Sequence, residues 1–128
     1  MQPPLQDRTW FSKFGDAFRG LRLGVRGQSS FRVHFLAAAA VIVAAALMRV
    51  PLGESCVLLV CITLVLAAEM LNSALESLAK AISDKDDPHL ADALDIGSAA
   101  VLVASLGAVI VGGIIFLRWL GVRAGWWP

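Results

Sequence analysis

Residues 53–82 read GESCVLLVCITLVLAAEMLNSALESLAKAI. From Gly53 through Ala68 the stretch is apolar, and at Glu69 charge enters without breaking the helical pattern, which runs on to about Ile82. A helix that is apolar over its first half and regularly acidic over its second crosses hydrocarbon and then protrudes from it. Residues 33–48 form a second apolar run, short against the roughly 20 residues that a bilayer requires, which Phe31 and a snorkelling Arg32 extend. The clearest span is residues 96–117, followed by Trp119, Trp126 and Trp127 at the level of an interfacial aromatic belt.

Composition agrees with this pattern. The chain has 128 residues, of which 58% are hydrophobic and 16% charged, with a mean hydropathy of +0.74. Soluble domains run nearer 45–50% apolar and 25% charged. So apolar a chain has too little polar surface to fold in water, and it is equally unlike a disordered or disulfide-stapled sequence. A net charge of +1 gives no field for nucleic acid. Cys56 and Cys61 stand five apart inside an apolar run, neither a metal nor a redox spacing.

Ahead of the spans, residues 10–27 have a different pattern. Trp10, Phe14, Ala17, Phe18, Leu21 and Val25 fall within about 100° of one another on a helical wheel, opposite Ser12, Lys13, Asp16, Arg19, Arg22 and Arg26. Aromatics on one side and cations on the other suit a helix lying in the membrane interface. The expected fold is an all-α membrane protein with three transmembrane helices and an N-terminal amphipathic surface helix. A loose tail covers 1–9, the surface helix 10–27, the spans about 31–49, 53–82 and 92–119 within one domain of 10–121, and a second tail 122–128. Arg8, Lys13, Arg19, Arg22, Arg26, Arg32, Lys80 and Lys85 lie on one side of these spans and Arg49, Arg118 and Arg123 on the other. The positive-inside rule then puts the N-terminus and the 83–89 linker in the cytoplasm. Small residues recur every fourth position at Ala100, Ala104, Ala108 and Gly112, a face that allows close helix approach in lipid and suggests an oligomer.

Chemistry is concentrated at the cytoplasmic edge. Glu69, Asn72 and Glu76 are spaced i, i+3, i+7, within about 60° on one helical face, and Lys80 continues the stripe. Carboxylates at a membrane edge are costly unless paired or coordinated, and oxygen ligands of this type suit Mg²⁺ and, through it, nucleotide phosphates. Asp95 opens the third span from the same side, facing this cluster across the hairpin. There is no phosphate-binding glycine loop, no dinucleotide fingerprint and no zinc motif. The two histidines, His34 and His89, read as interfacial and solvated side chains and leave no serine triad. No ionisable residue lies mid-bilayer, which speaks against a channel or transporter.

The segment Glu69-Met70-Leu71-Asn72-Ser73-Ala74-Leu75-Glu76, followed by Asp95-Ile96-Gly97-Ser98-Ala99-Ala100-Val101, resembles the small prokaryotic diacylglycerol kinases and the related undecaprenol kinases. Ala17, Gly20 and Leu21 in the first helix and the Phe31-Arg32 pair also match, so that the likeness covers roughly residues 10–118. The resemblance implies a homotrimer in the bacterial inner membrane whose sites are built between neighbouring subunits. It implies transfer of the ATP γ-phosphate to a lipid hydroxyl at the cytoplasmic interface, diacylglycerol first and undecaprenol as the alternative. It also implies that Glu69 is the general base, that Glu76 ligates Mg²⁺, and that Asn72, Glu76 and Asp95 hold the nucleotide. Gln28 stands where the family has a second metal-binding carboxylate, and Leu94 where it has a lysine. An amide oxygen still ligates Mg²⁺, but leucine cannot neutralise phosphate, so that a non-catalytic, lipid-binding member is the other alternative.

Overall fold

The computed structural model describes residues 9–27, 29–82 and 87–128, and these form four helices. They are α1 (Trp10–Gly27), α2 (Ser29–Leu47), α3 (Leu52–Ile82) and α4 (Pro88–Arg123). Three of them, α2, α3 and α4, are long and apolar enough to cross a membrane. At 1.5 Å per residue, the 31 residues of α3 and the 36 of α4 extend to about 46 and 54 Å, well beyond a hydrocarbon core of about 30 Å. The chain buries little of its own apolar surface. Its core is Phe31, Leu58, Val65, Ala79 and Ile115, while Leu64, Val103, Val109 and Ile114 are among many large apolar side chains left exposed. Such faces are stable only against lipid or other protein surface. The protein is therefore a membrane protein.

The turns explain where the helices stop. After α2 the chain closes a Schellman motif: the N–H of Val50 donates to Ala45 O and that of Arg49 to Ala46 O, with Arg49 left-handed at φ 53. Pro51 follows and cannot continue the helix. α4 ends in the same way, Trp126 N–H donating to Gly121 O and Gly125 N–H to Val122 O, with glycine (φ 73) in the left-handed position. At the start of α4 the Asp87 carboxylate accepts from the N–H groups of His89 and Leu90, and Pro88 occupies the first turn. This cap starts the helix at Pro88, one turn before the 92 expected from hydropathy alone.

α3 and α4 pack as the principal pair, with α2 on α3 and α1 against both α2 and α3. The end of this hairpin away from Glu69 is fastened by polar contacts. Glu54 accepts from Arg118 Nη1 at 2.7 Å and from the Trp119 indole N–H, and Arg123 Nη2 donates to Met48 O at 3.0 Å. Three small residues of α4 serve packing within the chain: Ala104, Ala108 and Gly112 are half-buried, and a Cβ at Gly112 would lie 3.8 Å from Leu58 Cδ2 of α3, whereas Ala100 is exposed.

Candidate active site

α3 crosses from its apolar half to its acidic half at Glu69, and α2 begins at the same level. Antiparallel packing therefore brings the first turn of α2 against the middle of α3. Ser30 and His34 are four apart and share one face of α2, and both address Glu69. Ser30 Oγ donates to Glu69 Oε1, and His34 Nε2 stands 3.9 Å from Oε2. The carboxylate is sealed, Glu69 being 2% exposed. A charge taken from water is tolerable only where partners replace the lost solvation, and each oxygen has one such neighbour on α2.

Asn72, one turn further along and about 60° round the helix, meets α4 instead of α2. It is buried against α4, where Gly97 leaves the room it occupies: a Cβ at Gly97 would be 2.6 Å from Asn72 Oδ1 and 3.0 Å from Leu75 Cδ1. The amide Nδ2 donates to Glu76 Oε1 at 3.1 Å, so Asn72 both fills the α3–α4 contact and holds the Glu76 carboxylate. Asn72 Oδ1 is buried without a hydrogen-bond partner. Glu76 is half-buried.

The stripe of Glu69, Asn72 and Glu76 is thus divided by its neighbours, the first residue belonging to α2 and the second to α4. Asp95 does not join them in this chain. It is exposed, and it lies two residues from Gly97, about 200° round α4 from the face that meets Asn72. Leu94 is half-buried, and Gln28 lies outside the described residues. Among the described residues no group of three or more His, Cys, Asp or Glu side chains gathers to hold a metal. Magnesium that travels with nucleotide does not need such a cage, since it uses one or two carboxylates together with the phosphates. Glu76 supplies one.

A profile of the prokaryotic diacylglycerol kinase family matches residues 15–116, which include every residue of this arrangement. The chain belongs to the prokaryotic diacylglycerol kinase family. It is 35% identical over 121 residues to a diacylglycerol kinase of Synechocystis sp., an alignment covering 89% of this chain and 69% of that protein. It is 32% identical over 108 residues to an undecaprenol kinase of Bacillus subtilis, covering 84% and 88%. A diacylglycerol kinase of Escherichia coli is 32% identical over 107 residues, again covering 84% and 88%. The family is one of lipid kinases, and these relatives are named for two acceptors, diacylglycerol and undecaprenol.

Three contacts of this kinase-family chain escape a reading by motif. Ser30 and His34 carry no motif of their own, and only the register of α2 against α3 reveals them as neighbours of Glu69. His34, expected as an interfacial side chain, is half-buried and faces Glu69 from one helical turn after Ser30. Glu54 lies within what reads as an apolar run. The signal that finds it is the Arg118-Trp119 pair, which the hairpin returns to the same depth.

Proposed function

We propose that the protein phosphorylates a membrane lipid hydroxyl with ATP, converting diacylglycerol to phosphatidic acid at the cytoplasmic face of the bacterial inner membrane. The burial of Glu69 at the point where α3 leaves its apolar half carries this proposal. A lipid hydroxyl lies at that depth, and a nucleotide does not. Glu69 is the general base that accepts the hydroxyl proton as the oxygen attacks the γ-phosphorus. Glu76, held by Asn72, lies seven residues further along, about 10 Å nearer the water. It meets the phosphates there. Bound Mg²⁺ supplies charge neutralisation of those phosphates, with Glu76, and Gln28 by its position in the sequence, as ligands. Phosphoryl transfer has a loose transition state, so positioning and charge do most of the work.

The exposed Asp95 supports a site shared between copies. Its face of α4 points away from Asn72 of its own chain and is free to serve the nucleotide on a neighbour, in keeping with a homotrimer. The exposed Trp10, Phe11, Phe14 and Phe18 of α1 support its placement as a surface helix in the cytoplasmic leaflet. Undecaprenol is the second acceptor to consider, because a relative named undecaprenol kinase matches as well as the Escherichia coli diacylglycerol kinase does.

The test is transfer from labelled ATP to each lipid separately, in phosphatidylcholine vesicles with Mg²⁺, by the full chain and by Glu69→Gln. The parent is expected to label diacylglycerol. Loss of the base should lower kcat by about 100-fold or more, with ATP affinity little changed. Equal activity of variant and parent removes Glu69 from the role, and labelling of undecaprenol alone reassigns the acceptor.

A further inference from the structure

Glu69 poses a problem that its role as a base does not solve. Each turnover leaves the lipid's proton on a carboxylate that is 3% exposed, and the next turnover needs that carboxylate ionised again. The proton must leave through a neighbour. Ser30 donates to Oε1, which already accepts one hydrogen bond. Oε2 faces His34 Nε2 across 3.9 Å, and the imidazole is 24% exposed, eight times the exposure of the carboxylate. The separation exceeds a direct hydrogen bond, so proton transfer requires the imidazole to approach Oε2. His34 also lines a cavity of about 280 Å³ together with Ala38, Val65, Leu66 and Ser105. From α3 the titratable group that faces the imidazole among the described residues is Glu69, and α4 presents Ser105 and Phe116, which do not titrate. On its own helix, Arg32 is about 200° away and exposed.

We propose that Ser30 and His34 are positioning residues that divide the two oxygens of Glu69, Ser30 pinning Oε1 and His34 emptying Oε2 of its proton after each transfer. The inference rests on Glu69 as the general base. As the lipid O–H bond breaks, its proton goes to Oε2. The lipid oxygen forms a bond to the γ-phosphorus, and the bond from that phosphorus to the β,γ-bridging oxygen breaks, leaving ADP. The proton then passes from Oε2 to Nε2 of His34, and the imidazolium gives up a proton to solvent before the next turnover. Histidine is the side chain suited to such a shuttle, because its two nitrogens exchange roles near neutral pH.

The experiment compares the parent with His34→Gln, His34→Ala and Ser30→Ala in phosphatidylcholine vesicles carrying whichever lipid the parent labels. Glutamine keeps a donor nitrogen and much of the volume but takes up no proton. The expected result is a fall in kcat of about tenfold or more for both His34 variants, with KM for ATP unchanged. Added imidazole should restore H34A, whose missing ring leaves space beside the cavity, in proportion to its concentration. It should not restore H34Q. Ser30→Ala should lower kcat by less, since Oε2 keeps its acceptor. H34Q with parental kcat overturns the relay, and so does an H34A that imidazole leaves unmoved. A parent with no lipid-dependent ATP turnover overturns the kinase function itself, and the relay falls with it.

Discussion

Gly97→Ala is the substitution that most directly probes the link between helix packing and nucleotide binding. The new Cβ would sit 2.6 Å from Asn72 Oδ1, 3.0 Å from Leu75 Cδ1 and 3.6 Å from Asn72 Cγ. Ordinary contacts begin near 3.4 Å, so relief demands a shift of roughly 0.8 Å by the Asn72 amide or by α4. Overpacking of this kind costs about 1–3 kcal/mol. Replacing a helical glycine with alanine returns about 1 kcal/mol in backbone terms, which leaves a net destabilisation of only about 0–2 kcal/mol. The larger effect falls on Glu76. Displacing the Asn72 amide breaks the 3.1 Å bond from Nδ2 to Glu76 Oε1, and a hydrogen bond to a charged group contributes about 1.5–3 kcal/mol. At 1.4 kcal/mol per decade, KM for ATP should rise about tenfold. Gly107 is the control, since nothing lies within 4 Å of a Cβ there. Gly107→Ala should keep the parental KM. Detergent-unfolding curves and ATP saturation measured on both variants decide the matter. A G97A protein that binds ATP like the parent and unfolds like G107A would refute the argument, because the Gly97–Asn72 contact would then hold nothing in place.

Three further outcomes follow from the same structure. Glu76→Ala should shift the Mg²⁺ titration of activity to several-fold higher concentration, and an unmoved titration removes Glu76 from metal binding. Leu94→Lys places a cation beside Asp95, and it should raise kcat/KM for ATP if the native chain lacks a phosphate-neutralising charge there. A drop or no change in single-turnover measurements would show that another cation already does this, and Lys80, on the wall of the α1–α3 cavity with Ser73 and Ser77, is then the first to replace. Glu54→Ala leaves the Arg118 guanidinium and the Trp119 indole N–H without their acceptor and should destabilise by about 1–3 kcal/mol. Its kcat should match the parent's, because Glu54 is at the opposite end of α3 from Glu69; a fall in kcat at full folding would contradict this.

Periodicity alone makes the three apolar helices legible, since lipid demands long uninterrupted apolar segments and permits few alternatives. The same periodicity puts Glu69, Asn72 and Glu76 on one face, but a helical wheel has no neighbours on it. That Glu69 turns to α2 and Asn72 to α4 depends on which helix packs at which azimuth. The sequence marks this at Gly97, whose missing Cβ admits the Asn72 amide. Asp95 shows the limit of motif reasoning. Its motif runs together with Gly97 in the chain, but two residues are over half a turn of helix, and within one chain the carboxylate faces outward. The far end was illegible for a different reason. Glu54, Arg118 and Trp119 come together only once the hairpin has closed, and no local pattern records it.

On the proposed function, the length of α3 accounts for why two carboxylates with separate tasks occupy one helix. From Glu54, held at the far boundary by Arg118 and Trp119, to Glu69 is fifteen residues, about 22 Å. That is less than the roughly 30 Å of a hydrocarbon core. With Glu54 at the far boundary, the Glu69 carboxylate therefore lies about 8 Å inside the near one. Unpaired, an ionised group there costs several kcal/mol, and the Ser30 and His34 side chains on α2 are what make its position tolerable. Glu76 stands about 10 Å further out, beyond the boundary, where Asn72 donates to it. A lipid hydroxyl cannot rise far into water and a triphosphate cannot sink into lipid. A single rigid helix that crosses the boundary between Glu69 and Glu76 offers each reactant a carboxylate at its own depth, so α3 sets their separation by its rise per residue and not by any movement of the chain.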